Sequence, residues 1–140
     1  MQLNKTIYKT EMQVRPDDID MFQHVHSSRY IDYVLAARYD QMGKFYKMPM
    51  NEFLEHGFGW VINSTTIHFK RPLKLGDSFL VKTNLDDMQK TGCTVKFSIV
   101  NNFTHKICCD GVFHYTMINL KSGAAEIIPQ WIIDRYSNHG

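Results

Sequence analysis

The sequence predicts an α+β protein with an antiparallel meander, an order of elements that a curved sheet of about five strands wrapped around one long central helix satisfies. Three observations support this prediction. The 140 residues, of which 44% are hydrophobic, suit a single globular domain over residues 1–140. A strand-like segment and one long amphipathic helix come first, and four strand-like segments follow without a long helix between them. A sheet and a helix arranged in this way bury each other's apolar faces.

Residues 6–15 form the first predicted strand. Polar and apolar side chains alternate along this segment, as they do in a strand with one buried face. The candidates for the inward face are Ile7, Met12 and Val14. Pro16 ends the segment, because proline has no N–H group to donate to a sheet.

The long helix follows a loop. A serine hydroxyl accepts hydrogen bonds from the first free amides of a helix, so we expect Ser27 or Ser28 to cap it. The helix is predicted to run to about Tyr46, weakened or ended by Gly43. Its apolar stripe consists of Tyr30, Val34 and Ala37, with Ile31, Leu35 and Met42 beside them. A short helical turn is expected at residues 50–56.

Four strands are predicted in the second half of the chain, at about residues 58–70, 78–85, 93–99 and 106–119. Each carries an alternating apolar stripe, most clearly at Cys93, Val95, Phe97 and Ile99. The pair Asn101-Asn102 indicates a hairpin loop between the last two strands. Residues 129–136 are expected to form a short final helix.

Composition excludes several classes of protein. The net charge of +2 and the scattered basic residues argue against a nucleic-acid partner. No apolar run is long enough to span a membrane, and acidic residues among the first twenty argue against a signal peptide. The three cysteines form no disulfide framework, which favours a cytoplasmic location. Cys93 and Cys109 are interpreted as small apolar residues of the strands, against the alternative of a catalytic thiol.

The candidate functional motif lies just before the long helix. Between residues 18 and 28 the chain places two carboxylates, two imidazoles and two hydroxyls. A carboxylate beside a helix start is suited to acyl chemistry, because the free amides polarise an acyl oxygen while the carboxylate acts as base or nucleophile. Residues 18–33, DIDMFQHVHSSRYIDY, resemble the pattern D-x-D-x-x-x-H-V-x-x-x-x-Y-x-x-Y of the hotdog-fold thioesterases, of the 4-hydroxybenzoyl-CoA thioesterase and acyl-ACP thioesterase type.

The resemblance covers nearly the whole chain, including the helix length, the strand count and the turn HFKRPLKLGD at residues 68–77. It implies the hotdog fold. It also implies that Asp20 is the catalytic carboxylate, either attacking a thioester carbonyl or acting as base toward water. The alternative is a loop aspartate that only stabilises a turn. Asp18, the first carboxylate of the motif, is interpreted as structural, bonding to loop amides.

Further roles follow from the same resemblance. His24 matches the family histidine and is a candidate assistant in catalysis, against the alternative of a histidine packed in the loop. The oxyanion donors are expected among the backbone amides of His26, Ser27 and Ser28. His68 stands where the plant enzymes carry a strand carboxylate, which suggests a proton-handling role, although a half-buried strand histidine is the competing interpretation.

One departure from the plant pattern concerns Phe22, which replaces an asparagine and cannot hydrogen-bond a water molecule. Lys70, Arg71 and Lys74 lie at the turn where this fold often meets the nucleotide end of coenzyme A, and a solvated basic edge explains them equally well. No metal site is expected, because the histidine pair at residues 24 and 26 lacks a third ligand, and no cofactor is expected.

The sequence therefore predicts an acyl thioesterase that hydrolyses acyl-CoA or acyl-ACP to free acid and thiol. The alternative is a non-catalytic acyl-CoA-binding sensor or module of the same fold. A hydratase of this fold is a further rival, against which the D-x-D-x-x-x-H-V motif argues. Proteins of this fold typically pair edge to edge, so we expect a homodimer or a dimer of dimers.

Overall fold

The computed structural model describes residues 2–138. Its elements in chain order are β1 (Gln2–Leu3), β2 (Tyr8–Gln13), a 3-10 turn (Pro16–Asp18), α1 (Ser27–Lys44), α2 (Met50–Glu55), β3 (Phe58–Phe69), β4 (Ser78–Met88), β5 (Gly92–Asn101), β6 (Ile107–Asn119), α3 (Gln130–Arg135) and β7 (Ser137–Asn138).

Five of the strands form one antiparallel sheet in the order β2-β4-β5-β6-β3. The buried stripes of the central strands pack on α1, as the contact between the rings of Tyr33 and Phe79 shows, with 5.0 Å between their centroids. The stripes consist of Phe79, Val81, Leu85, Cys93, Val95, Phe97, Ile99, Phe113 and Met117. This arrangement is the hotdog fold, and it confirms the α+β prediction.

Polar side chains fix the position of α1 on the sheet. The Gln41 amide nitrogen donates to the Thr10 hydroxyl at 3.0 Å, and the Thr83 hydroxyl donates to the Gln41 amide oxygen. Gln41 and Thr83 have no exposed surface. Buried polar groups of this kind cost free energy unless they are paired, so these bonds favour one orientation of the helix.

The predicted helices are confirmed, with small differences at their ends. Gly43 lies inside α1, which continues to Lys44 and ends where the Phe45 amide bonds to the carbonyl of Gln41. The short helices α2 and α3 occupy the two segments expected to hold them.

One strand prediction is wrong in detail. Ile7 is 57% exposed, whereas Met12 is partly buried and Val14 is buried. The reason is that the strand begins only at Tyr8, so Ile7 lies in the segment between β1 and β2 and outside the sheet. The pairing of β1 with β7 was not predicted, since two-residue strands carry no recognisable pattern.

β3 is an edge strand of the sheet and pairs only with β6. It is twelve residues long, and Val61, Ile62 and Phe69 on it are each at least 38% exposed. A long edge strand with apolar side chains is a template for pairing with another strand.

Candidate active site

The loop between β2 and α1 folds back on itself in a tight turn. Ile19 pairs with Val25, and the amide of Asp20 donates to the carbonyl of His24 at 2.8 Å. Gln23 closes the turn with a φ of 63°, a left-handed backbone conformation that is uncommon outside glycine. The turn therefore holds Asp20 and His24 side by side, immediately before the helix.

The Asp20 carboxylate stabilises this turn with one oxygen only. Its Oδ1 accepts hydrogen bonds from the amides of Phe22 (2.8 Å) and His24 (3.1 Å). Within residues 2–138, Oδ2 has no hydrogen-bond partner. Partial burial favours the neutral acid, but the two amide bonds and the potential of His24 and His26 outweigh it and lower the pKa of Asp20. Asp20 is therefore ionised at neutral pH and keeps one oxygen for a substrate or water.

Asp18 anchors the loop to the helix. Its side chain is 2% exposed, and Oδ2 accepts hydrogen bonds from Nε of Arg15 (2.7 Å) and from the Tyr33 hydroxyl (2.8 Å). Nε of Arg29 lies 3.4 Å from Oδ1. The carboxylate is structural, as expected, but it bonds to side chains of the loop and α1, and the expectation of bonds to loop amides is wrong.

The start of α1 lacks a side-chain cap. His26 occupies the capping position without a capping hydrogen bond, so the prediction that Ser27 or Ser28 caps the helix is wrong. Both serines lie inside the first turn, where a hydroxyl is past the position from which it reaches the free amides. The Arg29 amide bonds to the His26 carbonyl at 2.9 Å. The amides of Ser27 and Ser28 thus remain available to an acceptor from outside.

A polar cavity of about 320 Å³ connects the loop, the helix start and the end of β3. Its lining residues are Asp20, His24, Val25, Ser27, Tyr30, Phe69, Lys70, Arg71 and Pro72. The hydroxyl of Tyr30 accepts a 2.8 Å hydrogen bond from the amide of Leu73, which holds the segment after β3 against α1. The cavity combines a charged carboxylate, an imidazole, a helix start and two cations, a set suited to acyl chemistry on a phosphorylated substrate.

Several of the predicted site residues lie outside this cavity. His26, Ser28 and Lys74 are exposed and do not line it. His68 is also exposed, so the interpretation as a half-buried histidine is wrong. The ring of Phe69 packs on Tyr30 of α1 at 5.4 Å, and successive strand residues face opposite sides, so His68 projects away from the helix.

The basic residues at the cavity rim are partly engaged. Nζ of Lys70 lies 2.8 Å from the carboxylate of Asp110, and Nη1 of Arg71 donates to the carbonyl of Ile107 at 3.0 Å. The guanidinium of Arg71 has four further N–H groups. Lys74 forms an isolated bridge with His24, which brings its backbone close to the catalytic candidate.

A second cavity, of about 450 Å³ and mainly apolar, lies between α1 and the sheet. The aromatic residues Trp60 and Tyr115 line this cavity. Arg38 lines it as well, although sequence analysis did not single it out. Its position four residues after Val34, on the apolar stripe of α1, was the signal available in the sequence.

The buried cysteines are unsuited to act as nucleophiles. Burial raises the pKa of the Cys93 and Cys109 thiols to about 12, which makes both of them poor nucleophiles.

Within residues 2–138, no group of three acidic, histidine or cysteine side chains is arranged to hold a metal ion. None of the helices in this range is both long and apolar enough to cross a membrane.

An antiparallel five-stranded sheet packed on one long helix is the architecture of the hotdog proteins. The profile of the thioesterase-like superfamily matches residues 14–135, and the chain belongs to this superfamily. The long-chain acyl-CoA thioesterase FadM of Escherichia coli strain K12 is 23% identical to this chain over 117 residues, which cover 84% of this chain and 87% of FadM.

Solved structures support the same fold. A 1,4-dihydroxy-2-naphthoyl-CoA thioesterase from Synechocystis, Slr0204, superposes with a TM-score of 0.82 at 18% identity, covering 92% of this chain and 96% of that one. The hypothetical protein SAV2348 from Staphylococcus aureus, solved in complex with CoA, superposes with a TM-score of 0.81 at 13% identity, covering 96% and 84%.

Proposed function

We propose that the protein hydrolyses acyl-CoA thioesters to a free acid and the CoA thiol, with Asp20 at the centre of the reaction. The observation that carries this proposal is the position of Asp20 in the polar cavity, ionised and with Oδ2 unpaired, beside the uncapped start of α1. To attack the thioester carbonyl, or to activate a water molecule that attacks it, the carboxylate must be ionised and must have a free oxygen.

The amides at the helix start take the second role. Attack on the thioester carbonyl carbon places negative charge on its oxygen. The free amides of Ser27, which lines the polar cavity, and of the adjacent Ser28 are suited to donate hydrogen bonds to that oxygen. In the base route, water adds to the carbonyl carbon while Asp20 takes its proton. The tetrahedral intermediate then collapses with loss of the thiolate. His24 is the group proposed to protonate the leaving sulfur.

Coenzyme A is the proposed carrier, in preference to acyl carrier protein. FadM is named as an acyl-CoA thioesterase, and SAV2348 was solved with CoA. Lys70 and Arg71 line the polar cavity and Lys74 lies beside it, where all three would meet the phosphates of the nucleotide. Their contacts to Asp110 and Ile107 leave further donors free for this role.

A homodimer that pairs through β3 is part of the proposal. The exposed apolar residues Val61, Ile62 and Phe69 lie on this edge strand, and both cavities reach it. Sedimentation equilibrium is expected to give twice the mass of the chain, or four times for a dimer of dimers. A monomer at micromolar concentration would contradict the proposed pairing.

A cytoplasmic location is also part of the proposal, because the buried cysteines are free.

The test is thiol release from short, long and aromatic acyl-CoAs, followed with a thiol-reactive dye. Asp20→Asn keeps the shape of the side chain and its turn-stabilising oxygen but removes the charge. We expect its kcat to fall at least about a hundredfold. The exposed neighbour Asp17 supplies the control, because Asp17→Asn removes the same charge outside the cavity and should leave kcat unchanged. Full activity in Asp20→Asn would exclude the proposed mechanism.

One observation favours a second candidate, an acyl-CoA-binding module without catalysis. The Asp20 carboxylate already serves the turn through Oδ1, and its pKa is lowered, which weakens it as a base. Tight binding of acyl-CoAs by the wild type, with no thiol release from any of them, would favour this alternative.

A further inference from the structure

The apolar cavity between α1 and the sheet contains a buried cation. Arg38 lines the cavity and is 6% exposed, whereas the cavity's other lining is almost entirely apolar or aromatic, including Leu35, Met42, Trp60 and Val95. Arginine keeps its charge at any pH that a protein encounters. A permanent positive charge thus lies in surroundings that suit a hydrocarbon chain.

Nothing in the described part of the chain neutralises this charge. Within residues 2–138, Arg38 forms no ion pair with a carboxylate, and its Nη1 is buried without a hydrogen-bond partner. Its guanidinium packs on the ring of Tyr46, with 5.1 Å between Cζ and the centroid. The acidic groups beside it are held neutral, because burial raises the pKa of Cys93 and of Tyr115 to about 12.

Burial of an unpaired charge is energetically unfavourable, and a carboxylate in contact removes much of that cost. The planar guanidinium matches a carboxylate through two parallel hydrogen bonds. The indole Nε1 of Trp60, in the same cavity wall, is a second buried donor without a partner. Two unpaired donors favour a ligand that carries oxygen acceptors into this cavity.

The cavity also lies at a suitable distance from the proposed reaction centre. Ser27 lines the polar cavity and Arg38 lines the apolar one, roughly three turns or about 16 Å further along α1. β3 spans both, since Phe69 borders the first cavity and Trp60 borders the second. A single extended acyl chain that ran along α1 and β3 from the first cavity to the second would have its thioester at one end and Arg38 at the other.

We propose that the apolar cavity binds an acyl chain whose far end carries a carboxylate, and that Arg38 pairs with this carboxylate and selects for it. Arg38 is thus a specificity residue, and the preferred ligands are thioesters of dicarboxylic acids. This inference rests on the proposed thioesterase function for the reaction, but the binding preference is measured without it.

The test uses CoA thioethers, which resist hydrolysis. One carries a long saturated alkyl chain, and the other carries the same chain ending in a carboxylate. Isothermal titration should show that the wild type binds the carboxylate ligand at least about tenfold more tightly. In Arg38→Met, which replaces the cation by an apolar side chain of similar length, the preference should reverse toward the alkyl ligand.

Two further variants keep the result interpretable. Lys96→Met removes a positive charge from the neighbouring strand β5, where Lys96 is 56% exposed and pairs with Asp86, and it should retain the wild-type preference. Arg38→Lys keeps the charge but loses the planar fork, so a reduced preference for the carboxylate ligand is expected. If Arg38→Met does not fold, the wild-type ratio and Arg38→Lys decide the question.

Equal binding of both ligands by the wild type overturns the inference, and so does an unchanged ratio of the two affinities in Arg38→Met. A carboxylate from a second copy of the chain that already pairs with Arg38 would overturn it as well. Thiol release from simple acyl-CoAs without any preference would leave the thioesterase proposal standing. An Arg38-dependent preference among thioethers, without thiol release from any acyl-CoA, would support the binding inference and contradict the thioesterase proposal.

Discussion

The hydroxyl of Tyr33 on α1 donates a 2.8 Å hydrogen bond to the buried carboxylate of Asp18, two residues before the catalytic candidate Asp20. The same hydroxyl accepts the amide of Arg15 at 3.2 Å. The backbone carbonyl of Asp18 in turn accepts the amide of His26 at 2.9 Å. Tyr33 and Asp18 together therefore hold the loop that carries Asp20 against the start of the helix that would supply the oxyanion donors.

Tyr33→Phe tests this relationship. The substitution removes both hydrogen bonds of the hydroxyl and leaves the buried Asp18 carboxylate with one donor fewer. We expect the free energy of unfolding in urea to fall by about 1–3 kcal/mol, and kcat to fall with it because the loop loses its anchor. Tyr39→Phe is the matched control for stability alone, since Tyr39 lies on the same helix and is 59% exposed but lines the apolar cavity. Equal stability of wild type and Tyr33→Phe would show that the bond contributes nothing.

The stability of the protein should depend on acid in a defined direction. Burial favours the neutral form of Asp18, but the hydrogen bonds from Arg15 and Tyr33 outweigh it and lower its pKa below the ordinary value of 3.8. A carboxyl group whose pKa is lower in the folded state stabilises the fold above the unfolded value. This contribution is lost as the pH falls through the folded value.

We therefore expect the free energy of unfolding to be constant near neutral pH and to decline as the pH falls below 3.8. Asp18→Asn should be less stable than wild type at neutral pH and should show a shallower acid decline. Part of the decline will remain, because the pKa of Asp20 is lowered as well. Urea titrations across this range measure both slopes, and parallel curves for the two proteins would rule out a contribution from Asp18.

The sequence was informative where periodicity and burial coincide. Alternation at Cys93, Val95, Phe97 and Ile99 predicted a buried face that is confirmed, since all four are buried. The helix stripe at Val34 and Ala37 is confirmed for the same reason. Hydrophobic patterns report which face of an element is buried, and that information is local to the element.

Side-chain contacts between different elements could not be predicted from the sequence. The ion pair of Asp18 with Arg15 and its bond to Tyr33 depend on how the loop packs on α1, which no local pattern encodes. Likewise, the exposure of His68 follows from the register of β3, where a shift of one residue would turn the imidazole toward the helix. The unpaired state of Arg38 depends on which groups the sheet brings near it.

Arg71→Gln tests the proposed contact with CoA phosphates. Arg71 borders the polar cavity, and its loss should raise KM for acyl-CoA about three- to tenfold, because charge-assisted hydrogen bonds to phosphate are stronger than neutral ones. The KM for the corresponding acyl-pantetheine thioester, which lacks the nucleotide, should stay unchanged. Lys121→Gln, at an exposed turn, removes a charge elsewhere and serves as control. An equal rise in KM for both substrates would indicate a structural effect.

Replacement of glycine by alanine is expected to change the free energy of unfolding in opposite directions at Gly111 and Gly43. A Cβ at Gly111 in β6 would lie 2.1 Å from the backbone carbonyl oxygen of Thr66, and backbone in mid-sheet cannot yield cheaply. Gly111→Ala should therefore destabilise the protein by about 1–3 kcal/mol or more.

Gly43 lies inside α1, and the atom nearest to an added Cβ would be Cβ of Pro49, 3.9 Å away. Gly43→Ala should stabilise by about 0.5–1 kcal/mol, because alanine loses less conformational entropy in a helix. Urea unfolding of both variants measures the two values, and a destabilised Gly43→Ala would contradict the helical environment assigned to that position.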